Sequence, residues 1–117
     1  VWVAEEGDLD TVTALSGSGP AYFFMVMEAL EAAAVEAGLD QKTAQLLTQE
    51  TALGAAKMAL ESTESTAVLR QRVTSPGGTT ERAIEVLEAE GLRAALQQAL
   101  IAAKDRSIEL SDELGGQ

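Results

Sequence analysis

Six consecutive apolar or aromatic side chains, Tyr22, Phe23, Phe24, Met25, Val26 and Met27, stand near the start of a stretch that reads as one long helix. At about 3.6 residues per turn, six successive positions go fully round the helix, so no face of those first turns is polar. A lone small domain cannot easily cover every side of such a helix. Two arrangements answer the problem: a central core helix within one chain, or a helix shared with a second subunit, since exposed apolar patches of this size usually become interfaces. The sequence leaves both open. Gly54, Ala55 and Ala56 on the next long helix offer a smooth surface to an approaching backbone, and Met25, Met27 and Met58 read as packing residues rather than parts of a cofactor box.

The chain has 117 residues, enough for one domain with a real core, and its 46% hydrophobic content is that of ordinary globular chains. Aromatics make up only 3% while alanine and leucine abound, which predicts closely packed helices and an all-α fold. A net charge of −11 argues against nucleic-acid binding, which needs clustered lysine and arginine. The acidic residues, among them Glu31, Glu36, Glu85, Glu88 and Glu90, fall where helices face water. There is neither cysteine nor histidine, so disulfides, thiolate zinc sites and Ser-His-Asp or Cys-His mechanisms within the chain are excluded. The lack of cysteine is compatible with a reducing cytoplasm. No signal peptide or lipidation motif is visible, and residues 21–37, the most apolar stretch, carry Glu28, Glu31 and Glu36, too many charges for a membrane span.

Val1-Trp2-Val3 alternates like a short strand, yet nothing later supplies a partner strand, so it is expected to be the remnant of a preceding domain. The expected division is a remnant and linker over residues 1–7, a helical domain over 8–114 and a flexible tail over 115–117. Within the helical part a short helix over residues 9–15 leads to Ser18 as N-cap and Pro20 in the first turn of the long helix, which runs to residue 37 and stops at Gly38. Asp40 opens a second long helix, broken by residues 62–66. A short helix over 67–73, another over 79–88 with a stop at Gly91, and a final helix carrying Leu92, Leu96, Leu100, Ala103 and Leu110 complete the reading.

The run Val73-Thr74-Ser75-Pro76-Gly77-Gly78-Thr79-Thr80 sets two glycines and a hydroxyl pair at the mouth of a helix. Glycines at 77 and 78 let the backbone turn with its N–H groups outward, and the following helix adds unpaired donors and the positive end of its dipole. A small carboxylate would be held there, with the Thr80 hydroxyl placed to donate a hydrogen bond to a ligand nitrogen. The plainer reading is a helix-helix corner with Thr79 or Thr80 as N-cap. Arg70, Arg72 and Arg82 flank the corner, and Arg82 can instead pair with Glu85 or Glu88 along its own helix.

Other motifs carry less. Gly17-Ser18-Gly19 lacks the third glycine of a dinucleotide fingerprint, where Tyr22 stands, and no βαβ unit surrounds it. Gly77-Gly78 lacks the lysine of a P-loop. Glu81, Glu85 and Glu88 have helical spacing but no partners from another helix, so they read as a surface stripe rather than a metal set. Tyr22 is expected to be buried with one satisfied hydroxyl.

Taken together, TALSGSGPAY from Thr13, GLD from Gly38, LGAAKM from Leu53 and LRQRVTSPGGTT from Leu69 resemble the C-terminal half of the pyrroline-5-carboxylate reductase family, in the same order and with similar spacing over nearly the whole chain. The resemblance implies an all-α helical bundle of long and short helices that interlocks with a second subunit, like the C-terminal domain of 6-phosphogluconate dehydrogenase. It implies a parent enzyme that passes a hydride from NADPH or NADH to 1-pyrroline-5-carboxylate in the cytoplasm, yielding L-proline. A separate Rossmann domain would hold the nucleotide, so this chain is expected to bind no cofactor, no metal, no nucleic acid and no membrane, and to be inactive alone. By the same resemblance Ser75 and the backbone of Gly77, Gly78, Thr79 and Thr80 hold the substrate carboxylate while the Thr80 hydroxyl contacts the ring nitrogen, as the catalytic residue. One departure is Ser65-Thr66, where many members carry His-Pro. The rival expectations are a non-catalytic helical dimerisation module and a related imine or hydroxy-acid dehydrogenase.

Overall fold

A computed structural model describes the backbone of residues 6–115 and the side chains of residues 8–115. Every regular element there is helical: α1 (Glu6–Val12), a π-helical turn (Thr13–Gly17), α2 (Gly19–Glu36), α3 (Gln41–Glu61), α4 (Thr66–Arg72), α5 (Thr79–Ala89) and α6 (Leu92–Gly115). The all-α expectation therefore holds. The strand read into Val1-Trp2-Val3 lies outside the described residues. Helix α1 begins at Glu6, within the stretch assigned to the remnant and linker, and Gly115, assigned to the tail, is the last residue of α6.

The chain divides into two compact units, one running up to Phe23 and resuming at Leu87, the other spanning Phe24–Val86. In the first, α1, the π-helical turn and α6 pack against one another around Ala14, which is fully buried. The Ser107 hydroxyl donates to the Asp10 carboxylate at 2.8 Å and ties α6 to α1. The π-helical turn has a local cause. The hydroxyls of Thr13 and Ser16 donate to the carbonyls of Leu9 and Val12, competing with the helical ladder, and the Ser18 N–H reaches back five residues to the Thr13 carbonyl. Ser18 thus has helical dihedrals at the end of that turn instead of serving as the expected side-chain N-cap. Tyr22 is half-buried, and its hydroxyl donates to the Ala14 carbonyl at 2.7 Å, the single satisfied bond expected of it.

In the second unit the punctuation follows the sequence. Gly38, at φ +120°, ends α2 in a Schellman arrangement: its N–H donates to the Val35 carbonyl and that of Leu39 to Ala34. The Asp40 carboxylate then caps α3 twice, accepting the Thr43 N–H and the Thr43 hydroxyl, both at 2.9 Å. Ser65 caps α4 by accepting the Val68 N–H, so the Ser65-Thr66 pair, the departure from the resembled pattern, starts a helix here.

The apolar start of α2 is not covered by its own chain. Phe23, Phe24 and Met25 are 70%, 67% and 70% exposed, and Leu53 and Leu60 on α3 are likewise open. The reading in which α2 forms a central core helix of the single chain is thereby removed, because Ala44 is the one buried apolar residue described between Phe24 and Val86.

The Asp40 cap gives a pH dependence with a definite sign. Accepting the Thr43 N–H, and then the Thr43 hydroxyl, holds the Asp40 carboxyl below its ordinary 3.8 in the fold. A depressed folded value adds stability that is present above 3.8 and lost as pH falls through the folded value. The urea midpoint of the chain is therefore expected to exceed that of the D40A variant at pH 7, with the gap closing as pH drops below 3.8. A gap unchanged into strong acid would rule this cap out as the source.

Candidate functional site

The corner between α4 and α5 is built from a four-residue turn. Pro76 fixes its own φ at the second position, Gly77 adopts φ +73° at the third, and the Gly78 N–H donates to the Ser75 carbonyl at 3.0 Å. This is the residue pattern of a type II turn, which demands a positive φ where Gly77 stands. Gly78 is constrained differently: a Cβ there would come within 3.2 Å of the Ser75 carbonyl oxygen. The two glycines thus serve separate needs, one of dihedral angle and one of space.

Helix α5 starts immediately afterwards. Its first ladder bond runs from the Arg82 N–H to the Gly78 carbonyl, which makes Gly78 the N-cap and Thr79 the first helical residue. The expectation of Thr79 or Thr80 as N-cap is corrected accordingly. Among the described residues, the N–H groups of Thr79, Thr80 and Glu81 have no intramolecular acceptor, and neither do the hydroxyls of Thr79 and Thr80. Thr80 is half-buried, while Ser75, Gly77 and Thr79 are exposed.

The glycine amides behave otherwise than expected. Instead of both facing outward, the Gly78 N–H closes the turn and the Gly77 N–H donates to the Glu81 carboxylate at 3.0 Å. Glu81 had been read as part of a surface stripe. It is the residue that the sequence reading missed, although its place three positions after the N-cap is the spacing of a capping-box carboxylate. The rest of that stripe resolves into separate pairs, Glu85 with Arg82 at 3.2 Å and Glu88 with Arg93 at 2.7 Å. No group of carboxylates among the described residues could hold a metal ion. No described helix is long and apolar enough to cross a membrane.

Of the three flanking arginines, Arg82 takes the partner on its own helix foreseen for it, and Arg72 pairs with Glu64 at 3.2 Å across the length of α4. Arg70 lines an apolar groove with Met58, Leu69 and Val73. The corner therefore offers an anion short-range amide and hydroxyl donors and the positive end of α5.

Residues 6–110 match the family described as pyrroline-5-carboxylate reductase dimerisation, and the chain belongs to that family. It is 54% identical over 115 residues to the pyrroline-5-carboxylate reductase of Pseudomonas aeruginosa, a match covering 98% of this chain and 42% of that protein. The solved pyrroline-5-carboxylate reductase from Coxiella burnetii superposes with a TM-score of 0.91 at 56% identity, over 94% of this chain and 41% of that one. The Plasmodium falciparum pyrroline carboxylate reductase, solved with NADP bound, gives 0.85 at 33% identity, over 89% and 40%. The chain spans about two-fifths of the length of these relatives.

The turn makes a direct mechanical claim on Gly77. An L side chain at its positive φ costs about 1–2 kcal/mol, so G77A is expected to lower the stability of the chain by that amount in chemical denaturation. A change below a few tenths of a kcal/mol would mean that the turn does not hold this conformation in solution.

Proposed function

We propose that this chain is the dimerisation and substrate-binding part of an NAD(P)H-dependent pyrroline-5-carboxylate reductase, the enzyme that makes L-proline in the last step of its biosynthesis. The observation that carries the reading is the conjunction of the family match over residues 6–110 with unpaired donors on Thr79 and Thr80 at a helix start. The substrate carboxylate sits on the Thr79 and Thr80 amides beside Ser75, while Gly77 and Gly78 shape the turn that presents them. The Thr80 hydroxyl donates to the ring nitrogen. Bound NADPH or NADH supplies the hydride, and a further domain of the parent enzyme holds that nucleotide. As hydride reaches the imine carbon, the C=N electron pair moves onto nitrogen, which takes up a proton from solvent water to give the secondary amine. A donor already at that nitrogen interacts more strongly as its charge grows, which is where Thr80 lowers the barrier.

Dimerisation belongs to the same reading. Two copies interlock through α2 and α3, covering Phe23, Phe24, Met25 and Leu53, each large side chain gaining about 1.5–3 kcal/mol when fully withdrawn from water. The parent enzyme works in the cytoplasm.

In the full-length enzyme, T80A is expected to lower kcat/KM for 1-pyrroline-5-carboxylate by about tenfold to a hundredfold with the fold intact, and T80S to retain most of the activity. Steady-state kinetics with NADPH measure both. An unchanged kcat/KM in T80A would leave Thr80 as a simple helix-start residue and remove the catalytic assignment.

A further inference from the structure

We infer that Glu81 is a positioning residue for the substrate carboxylate, an inference that rests on the reductase reading of the corner. Glu81 touches no proposed reacting atom. Its carboxylate accepts the Gly77 N–H at 3.0 Å, reaching back from the first turn of α5 over the N-cap to the residue before it. Three contacts then define the corner: Gly78 N–H to the Ser75 carbonyl, Gly77 N–H to Glu81, and Arg82 N–H to the Gly78 carbonyl. The first closes the turn, the third starts the helix, and the Glu81 contact locks the one to the other.

Without that lock, the turn around Gly77 is held only by the Gly78–Ser75 bond and the fixed φ of Pro76, and no packing steadies it, since a Cβ at Gly77 would meet no atom within 4 Å. The peptide planes from Ser75 to Gly78 could then reorient, and the orientation of Ser75 against the Thr79 and Thr80 amides would be lost. Glu81 also removes a competing donor: with the Gly77 amide engaged, the free amides left to the substrate carboxylate are those of the first turn of α5, Thr79, Thr80 and Glu81. Glu81 is half-buried, whereas Gly77 is exposed, so the charged acceptor comes from the less solvated partner and the bond is a charge-assisted one.

A carboxylate grip is the same in the bound substrate and in the transition state, so its loss appears in KM more than in kcat. In the full-length enzyme, E81A is expected to raise KM for 1-pyrroline-5-carboxylate about threefold to tenfold. The Ki of L-proline, which carries the same carboxylate, rises by the same factor, while kcat and the KM for NADPH stay within about twofold. E81Q, whose amide oxygen can still accept from Gly77, restores KM to within about twofold of wild type. Two results would overturn the inference in an enzyme whose wild type is active and whose T80A variant is impaired: KM unchanged or lowered in E81A, or kcat and both KM values worsened together. A lowered KM shared by E81A and E81Q would show that the charge repels the substrate. A wild-type enzyme that fails to reduce this imino acid would sink the reductase reading itself. In that event amide exchange at Gly77 in the present chain decides the Glu81 contact alone, expected to speed up about tenfold in E81A and not in E81Q.

Discussion

The constraint on which the rest depends is that these helices cannot bury their own apolar faces. Ala14 and Ala44 are the buried apolar side chains described, one in each unit, and neither is large enough to anchor a core. Alanine and leucine give the backbone a good intrinsic preference for helix, but helices of ordinary length gain most of their stability from packing. Large side chains are present in quantity and nearly all stay open, Phe24 and Leu53 among them. On the proposed dimer, folding and association become one equilibrium, and the stability of either chain is inseparable from its concentration. The all-round apolar start of α2 is then an economical solution, because one helix can present different faces to its own chain and to its partner.

At the corner between α4 and α5 the controlling terms are local and stereochemical. Pro76 restricts one dihedral, Gly77 tolerates the positive φ that follows, and Gly78 leaves room for the Ser75 carbonyl that its own N–H must reach. Each residue answers a separate demand, so replacing either glycine by a merely small residue is not neutral. The turn also decides which amides remain for a ligand. With the Gly78 N–H taken up by the turn and the Gly77 N–H by Glu81, the N–H groups of Thr79, Thr80 and Glu81 remain, beside the unpaired hydroxyls of Thr79 and Thr80.

Much of the helical plan was legible because it is written in residues with one dominant physical meaning. Gly38 and Gly91 end helices at positive φ, Asp40 begins one, and the aliphatic spacing of α6 is unambiguous, whereas Ser65, read only as part of a break, proves to begin α4. The π-helical turn was not legible, since it arises from side chains of Thr13 and Ser16 bonding carbonyls one turn back, which hydrophobic periodicity does not register. The same holds for Ser18, a good N-cap by type that the π-helical turn keeps at helical dihedrals. The capping role of Glu81 is hidden for a related reason. Its spacing to Glu85 and Glu88 is that of a solvated stripe, and its place three residues after Gly78, which carries the capping signal, is read only once Gly78 is known to be the N-cap. The openness of α2 was half legible: the all-round apolar pattern predicted a need for cover, and only the coordinates showed that the single chain leaves it unmet.

A chain of net charge −11 that is proposed to hold an anion must do so without help from its overall field. At physiological ionic strength charges are screened over about 8 Å, so the acidic helix faces matter little at the corner, but neither do they attract. The nearby arginines do little to reverse this: Arg72 and Arg82 are each committed to a glutamate, and Arg70 lines the apolar groove with Met58, Leu69 and Val73. What remains is short-range: backbone donors fixed in direction by a turn, the partial charge of a helix start, and one hydroxyl. Such donors lose most of their effect when misaligned by a fraction of the hydrogen-bond length, whereas a mobile lysine would tolerate it. Recognition of this kind places its specificity in the conformation of four residues, Ser75 to Gly78, and in whatever keeps that conformation fixed.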